Sequence, residues 1–123
     1  MANAERGEID VTFDGASYTL RPTFQALCEI EDETGMGIAA IVQRFRKAEF
    51  GVREVTAIMV AGMTAAHGDA APARAAVEAA IGDGRFDALA TTAAAFLAAA
   101  LAGIGAPPRE APPKKPPPPG TAV

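Results

Sequence analysis

Few side chains in this sequence belong to the types that carry out covalent chemistry. Cysteine and histidine occur once each, as Cys28 and His67, and the one serine is Ser17. Cys28 falls on an apolar helix face, which favours an inert thiol over a nucleophile. His67 falls at a helix end, and Ser17 lacks the flanking glycines of a nucleophile elbow. The sequence therefore predicts a protein that is not an enzyme.

An acidic run between residues 29 and 33 is the other group that could bind a ligand. Glu29, Glu31, Asp32 and Glu33 lack the alternating spacing and central glycine of a calcium loop. The sequence contains neither a dinucleotide-binding glycine fingerprint nor a phosphate-binding loop. We therefore expect a solvated helix face, with no metal and no cofactor.

Glu31 is the one member of this run that does not fit a solvated face. On a helical wheel it falls between Phe24 and Leu27, among apolar residues. A carboxylate there needs a partner, because burying it unpaired is costly. The partner could be an arginine of the same chain, with Arg21, Arg44 and Arg46 as candidates, or it could belong to another protein.

Composition excludes several classes of protein. The net charge of −4 argues against nucleic acid as the main partner. A single cysteine excludes an internal disulfide and fits a reducing cytoplasm. The N-terminus has no apolar segment typical of a signal peptide. The alanine-rich stretch from Ala88 to Ile104 is short for a membrane span and holds two threonines, so we expect a packed helix there and no membrane contact.

The elements that must position these residues begin with a hairpin. Ile9, Val11 and Phe13 alternate with polar residues, as in a half-buried strand. Asp14-Gly15 follows, a dipeptide that tolerates the positive φ angles of a type I′ turn. The alternation resumes on a return strand, which Pro22 ends. Arg21 or Pro22 would then occupy the cap region of the first helix.

After the hairpin, apolar residues at helical spacing and glycines at helix ends predict five helices. Phe24, Leu27, Cys28 and Ile30 form the predicted apolar face of the first helix. The first predicted helix runs from after Pro22 to about Thr34, and the second runs from Ile38 to an end that carries Arg44, Arg46 and Lys47. The other three run from Val52 to about His67, from about Pro72 to Ile81 and from about Phe86 to Ala102.

Together these elements predict an α+β fold that is mostly α, with an N-terminal β-hairpin, about five short helices and a disordered proline-rich tail. The predicted segments are a flexible N-terminus over residues 1–7, a single domain over 8–105 and the tail over 106–123. Because alanine supplies much of the 50% hydrophobic content, we expect a marginal monomer that gains from a partner, including another copy of itself.

The order of residues from the turn to the end of the first helix resembles the tail-assembly-chaperone family of gene transfer agents and related tailed phages of alphaproteobacteria. The pattern is DG-x-x-Y-x-L-R-P-T-F-x-A-L-x-E-I-E-x-x-T-G. It is carried by Asp14, Gly15, Tyr18, Leu20, Arg21, Pro22, Thr23, Phe24, Ala26, Leu27, Glu29, Ile30, Glu31, Thr34 and Gly35. A weaker similarity extends over residues 7–103.

The resemblance implies a cytoplasmic assembly factor that binds the tape-measure protein, with tail tube subunits as further partners. Members of the family have also been described as tail tube proteins, but a tube lining needs more strands than one hairpin. The alternatives are a structural tail component and a small helical interaction module unrelated to phage. The predicted contact residues for a partner are Leu27, Ile30, Glu31, Met59 and Met63.

Overall fold

The chain folds into one β-hairpin followed by five α-helices, as the sequence predicts. This computed structural model describes residues 7–105. The elements are β1 (Ile9–Phe13), β2 (Ala16–Leu20), α1 (Phe24–Thr34), α2 (Ile38–Arg46), α3 (Val52–His67), α4 (Ala70–Gly82) and α5 (Phe86–Gly105). The predicted proline-rich tail, and all but the last residue of the predicted flexible N-terminus, lie outside the described residues.

The hairpin has the turn that its sequence predicts. β1 and β2 pair antiparallel, with Phe13 opposite Ala16 next to the turn. Asp14 and Gly15 have φ angles of 53° and 77°. Two successive positive φ values are the signature of a type I′ turn, whose twist matches that of the two strands.

The outer edge of β2 lies against α3. The Thr19 backbone N–H donates a hydrogen bond to His67 Nε2 at 2.9 Å. Further along, the Arg21 N–H donates to the Gly62 carbonyl at 3.0 Å. These bonds satisfy backbone donors that an edge strand would otherwise leave to solvent. The hairpin is therefore held to the middle and the C-terminal end of α3.

α3 is the central element of the core. It contacts the hairpin and also packs against α1, α4 and α5. From Glu54 to Met63 every residue except Thr56 is buried, so this helix has almost no solvated face along that stretch. Its buried apolar side chains join those of the other elements in one cluster, which includes Leu20, Ile30, Ile41, Ile58, Met59, Val77, Leu89 and Phe96.

The start of α1 differs from the prediction, whereas its end agrees with it. Thr23, rather than Arg21 or Pro22, is the N-cap, because its Oγ1 accepts the Ala26 N–H at 3.0 Å. This is the usual role of threonine at a helix start. Gly35 ends the helix with a φ of 72°, a left-handed conformation that glycine adopts without strain, as predicted.

α4 and α5 are longer than predicted. α4 begins at Ala70, two residues earlier, because Asp69 Oδ1 accepts the Ala71 N–H at 3.3 Å and caps the helix. Pro72 then lies in the first turn, where a missing N–H costs little. α5 continues through Gly103 to Gly105. Helix ends of this kind depend on caps that periodicity does not reveal.

Candidate partner-binding surface

Four of the five predicted contact residues lie in the core. Ile30 and Met59 are fully buried, and Leu27 and Met63 retain 8% and 1% exposure. All four belong to the one cluster of buried apolar side chains that forms the core. Contact with a partner through them would require the core to open, so their role in binding stays a prediction.

Glu31, the fifth, is exposed, and it does not point with the apolar face as expected. Its Oε2 accepts the backbone N–H of Ile38 at 2.9 Å. Ile38 is the first residue of α2, and the capping residue Gly37 has no side chain that could accept this bond. Glu31 therefore caps the start of the next helix, where a negative charge also favours the helix dipole.

Two of the arginines proposed as partners of Glu31 pair elsewhere. Arg21 Nε donates to Glu8 Oε2 at 2.6 Å, and the Glu8 side chain is only 5% exposed. Arg44 Nε lies 3.3 Å from Glu54 Oε2, at an angle that forms no hydrogen bond. The expected ion pair between Glu31 and either of these arginines is therefore wrong.

Phe24 also lies outside the predicted apolar face. It is 83% exposed, although the sequence places it with Leu27 and Ile30. The buried stripe of α1 consists of Ala26, Leu27 and Ile30. The centre of that stripe lies about 115° from Phe24 around the helix, because α3 packs against the side that carries Ala26. Phe24 is therefore a large apolar side chain in contact with solvent.

Two of the residues considered for chemistry, Ser17 and His67, line one open pocket of about 360 Å³ with Asp69. Each bonds to another group, since Ser17 Oγ pairs with Thr12 Oγ1 at 3.2 Å and Asp69 Oδ1 caps α4. His67 accepts the Thr19 N–H and lies edge-on to the Tyr18 ring, with the ring centroids 6.3 Å apart. Cys28 is a half-buried free thiol. Within residues 7–105, no three histidine, cysteine or acidic side chains are arranged to hold a metal ion. The described helices also include none long and apolar enough to cross a bilayer.

An open groove lies over α3 beside α1, and α4 forms the opposite wall along one of its two parts. It consists of two adjoining parts of about 380 and 390 Å³, which share Glu29 and Thr64. We call this surface the acidic groove. Its lining residues are Thr23, Gln25, Ala26, Glu29, Asp32, Glu33, Ala57, Val60, Ala61, Thr64, Ala65, Gly68, Ala70 and Arg74.

A smaller groove lies between α2 and α5 on another part of the surface. Its volume is about 230 Å³, and apolar side chains dominate its lining. Phe45 borders it and stacks on Phe50 with centroids 4.4 Å apart, and Phe50 in turn lies 6.0 Å from Phe86. This aromatic cluster fixes the end of α2 against the start of α5.

The floor of the acidic groove was not apparent from the sequence. On α3, the space between α1 and α4 is lined by Ala57, Val60, Ala61 and Thr64. Their spacing over residues 57–64 is that of one helix face, which was the available signal. A helix face of mostly small side chains does not stand out in this sequence, since alanine is common throughout the chain.

The fold and surface define a class of protein: a small domain of one hairpin and five helices, whose described residues form open grooves and expose the apolar side chains of Phe24 and Val52. A family model described as "Phage tail tube protein, GTA-gp10" matches residues 6–103. The chain belongs to this family, which confirms the prediction of a protein related to phage tails and gene transfer agents. Comparisons with curated proteins and with solved structures gave no match.

Proposed function

We propose that the protein is a cytoplasmic, non-enzymatic tail assembly chaperone that binds the tape-measure protein of a gene transfer agent or prophage. The observation that carries the proposal is the strand content. Within the described residues there is one two-stranded sheet, and the edge of β2 is already bonded to α3. A ring of tube subunits needs many strands per subunit to form a continuous β-wall.

The mechanism that we infer is the temporary covering of apolar helix on the tape-measure protein. A long helical client exposes apolar surface before the tube surrounds it, and such surface favours aggregation. Phe24 and Val52, which are 83% and 54% exposed, are apolar side chains available for such contacts. The net charge of −4 favours solubility of the complex. Release would follow when tail tube subunits compete for the same client.

A second candidate is a structural component of the tail, and the description of the family as tail tube protein favours it. In that case the hairpin would have to extend a sheet formed with neighbouring subunits. Because β2 is bonded to α3, such pairing would have to use β1, which itself contacts α5.

The experiment that separates the two candidates is quantitative mass spectrometry of purified mature particles and of the lysate of producing cells. A chaperone is abundant in the lysate and absent from particles, whereas a tube component occurs in many copies per particle. The major tail tube subunit of the same particles serves as the internal reference. A copy number comparable to that reference would overturn the chaperone proposal.

A further inference from the structure

The smaller groove between α2 and α5, which we call the apolar groove, leaves apolar side chains in contact with solvent. Five apolar residues of its lining are exposed or half-buried, namely Val42, Phe45, Ala94, Ala98 and Leu101. Surface of this kind gains free energy when another apolar group covers it, because water is then displaced. The groove therefore has accessible apolar surface that an occupant could bury.

One charge accompanies this apolar surface. Among the described residues that line the apolar groove, Arg46 is the one that carries a charge, and it is exposed. Its neighbour Arg44 pairs with Glu54, whereas no carboxylate within residues 7–105 is paired with Arg46. An occupant that combines apolar groups with one carboxylate would complement the groove.

The ring of Phe45 favours a proline-rich occupant. Phe45 stacks on Phe50 with centroids 4.4 Å apart, which fixes the ring, and its half-buried position leaves part of it in the lining of the groove. Proline-rich segments dock in grooves lined by aromatic side chains, because their polyproline helix is preformed and loses little entropy on binding.

A segment with these properties follows α5 directly in the sequence. Residues 106–113, which lie outside the described residues, read APPREAPP. Four of the eight are prolines, and the one carboxylate is that of Glu110, the only acidic residue of the sequence after Asp87. Prolines do not extend an α-helix, so a change of direction after Gly105, the end of α5, is compatible with this sequence.

The length of this segment matches the length of the apolar groove. On α5 the lining extends from Ala94 to Leu101, and α5 ends at Gly105. At the helical rise, these two lining residues lie about 16 and 6 Å from the end of the helix. A polyproline segment advances about 3.1 Å per residue, so about five or six residues cover that distance. A chain that turns back after Gly105 would therefore traverse the groove within residues 107–113.

The three-residue period of a polyproline helix also separates the two charges of this segment. Glu110 would share an edge with Pro107 and Pro113, whereas Arg109 would lie on a different edge. When the edge of Glu110 faces the groove, the side chain of Arg109 therefore points away from Arg46. The segment would bring its negative charge to the groove and leave its positive charge in solvent.

We propose that residues 107–113 of the chain's own tail dock in the apolar groove, with Glu110 next to Arg46. Because the segment belongs to the same chain, its effective concentration is on the order of millimolar, and a weak contact is sufficient. Docking covers apolar surface that would otherwise favour non-specific association, and a partner of the groove would first have to displace the segment. It would order seven residues of a tail that the sequence predicts to be disordered. It is independent of whether the protein is a chaperone or a tail component.

NMR relaxation of the full chain, labelled with ¹⁵N, tests the proposal. The amide order parameters of Arg109, Glu110 and Ala111 should exceed about 0.6, the level below which a backbone is flexible. Thr121 and Ala122, further along the same tail, are the internal reference and should stay below that level. Values below about 0.6 for all five amides would overturn the proposal.

A charge exchange tests the contact between the tail and α2. Glu110→Arg and Arg46→Glu each bring like charges together, so the order parameters of residues 109–111 should fall towards the value of Thr121. The double variant restores opposite charges and the native net charge, and it should recover the native order parameters. Unchanged order in both single variants, or a double variant that does not recover, would overturn the pairing of Glu110 with Arg46.

A substitution in the groove and a matched control on the same helix locate the docked segment. Ala98→Glu places a larger, negatively charged side chain in the groove, and Ala95→Glu makes the same change at an exposed position of α5 outside the lining. Order in residues 109–111 should be lost in Ala98→Glu and kept in Ala95→Glu. Equal effects of the two substitutions would overturn docking in this groove. Circular dichroism melts check that every variant is folded.

The prolines of the segment provide a second matched pair. Pro112→Gly with Pro113→Gly removes the preformed conformation within the segment and should lower the order parameters of residues 109–111. Pro118→Gly with Pro119→Gly makes the same change beyond the segment and should leave them unchanged. Equal loss of order in the two variants would overturn the assignment of the docked segment to residues 107–113.

Dilution separates docking within one chain from docking on a second copy. Order parameters of residues 109–111 that stay constant over an about tenfold dilution support docking within the chain, because the effective concentration does not change. Loss of order on dilution would overturn it and assign the contact to another copy.

Discussion

The backbone of Gly62 lies so close to Leu20 that a Cβ atom on Gly62 would stand 2.9 Å from Leu20 Cδ2. The same Cβ would also stand 2.9 Å from Phe96 Cε1. Three elements, namely α3, β2 and α5, therefore meet at a point that has no room for a side chain. Because the Gly62 carbonyl also accepts the Arg21 N–H, the contact fixes where the hairpin sits on the helices.

The first prediction concerns this contact. Gly62→Ala should lower the free energy of unfolding by about 1–2 kcal/mol, because the strain of overpacking exceeds the gain in helix propensity. Gly82→Ala is the matched control, since it is also helical and its Cβ would meet nothing within 4 Å. Urea denaturation should give a neutral or slightly higher stability for the control. Equal effects of the two substitutions would contradict the packing argument.

The second prediction concerns the bond between Thr19 and His67. His67→Leu removes the acceptor and should cost about 0.5–1.5 kcal/mol, the usual net value of one hydrogen bond. The Thr19 amide should exchange its hydrogen faster, while amides paired within the hairpin should stay protected. Amide exchange followed by NMR measures both groups at once. An unchanged exchange rate at Thr19 would mean that the bond does not protect this amide.

The third prediction concerns the cap that Glu31 supplies to α2. Glu31→Ala should destabilise the protein by about 0.5–1 kcal/mol, because the Ile38 N–H loses a charged acceptor. Glu31→Gln keeps an oxygen in place and should cost less. Asp32→Ala, one residue further along α1, is the control and should change stability by less than about 0.5 kcal/mol. Thermal denaturation of the three variants checks that Glu31→Ala loses the most stability.

The fourth prediction concerns the unpaired hydroxyl of Thr64. Thr64→Val keeps the shape and removes the buried polar atom, so the unfolding free energy should rise by about 1 kcal/mol. Thr56→Val is a control within the same helix, because Thr56 is the one residue between Glu54 and Met63 that is not buried. A loss of stability in Thr64→Val would show that its hydroxyl has a partner, such as an ordered water.

The fifth prediction compares two apolar residues of α1. Phe24→Ala should leave the unfolding free energy within about 0.5 kcal/mol of the native value, because the ring contacts solvent. Ile30→Ala should cost about 2–5 kcal/mol, because it leaves a cavity in the core. Urea denaturation decides. A large loss of stability in Phe24→Ala would show that the ring is buried, as the sequence predicts, and would contradict its exposure.

Much of the fold follows from local features of the sequence. The alternation around Val11 and the Asp14-Gly15 turn predict the hairpin, since strand period and turn geometry act over a few residues. Apolar spacing likewise predicts five helices, and Gly35 predicts the end of the first one. The start of α4 at Ala70, ahead of Pro72, depends on Asp69, a capping signal that was available in the sequence.

The candidate surface could not be predicted in the same way. The helical wheel of α1 alone does not decide whether Phe24 or Ala26 faces the core, and the bulkier residue is the natural choice. Which of the two residues is buried depends on the side of α1 against which α3 packs. That packing is a contact between parts of the chain that are distant in sequence. Met59 and Met63, expected as contact residues, are buried because α3 is surrounded by four other elements.

The sequence by itself determined the elements and the relation to phage tails and gene transfer agents, because turn chemistry, periodicity and residue order are local properties. Only the tertiary structure decided that Glu31 caps α2, that Phe24 is exposed and that a groove remains between α1 and α4. The physical reason is that burial and cavities depend on how helices pack. Packing brings together residues that are distant along the chain, and their spacing in the sequence does not reveal that they are in contact.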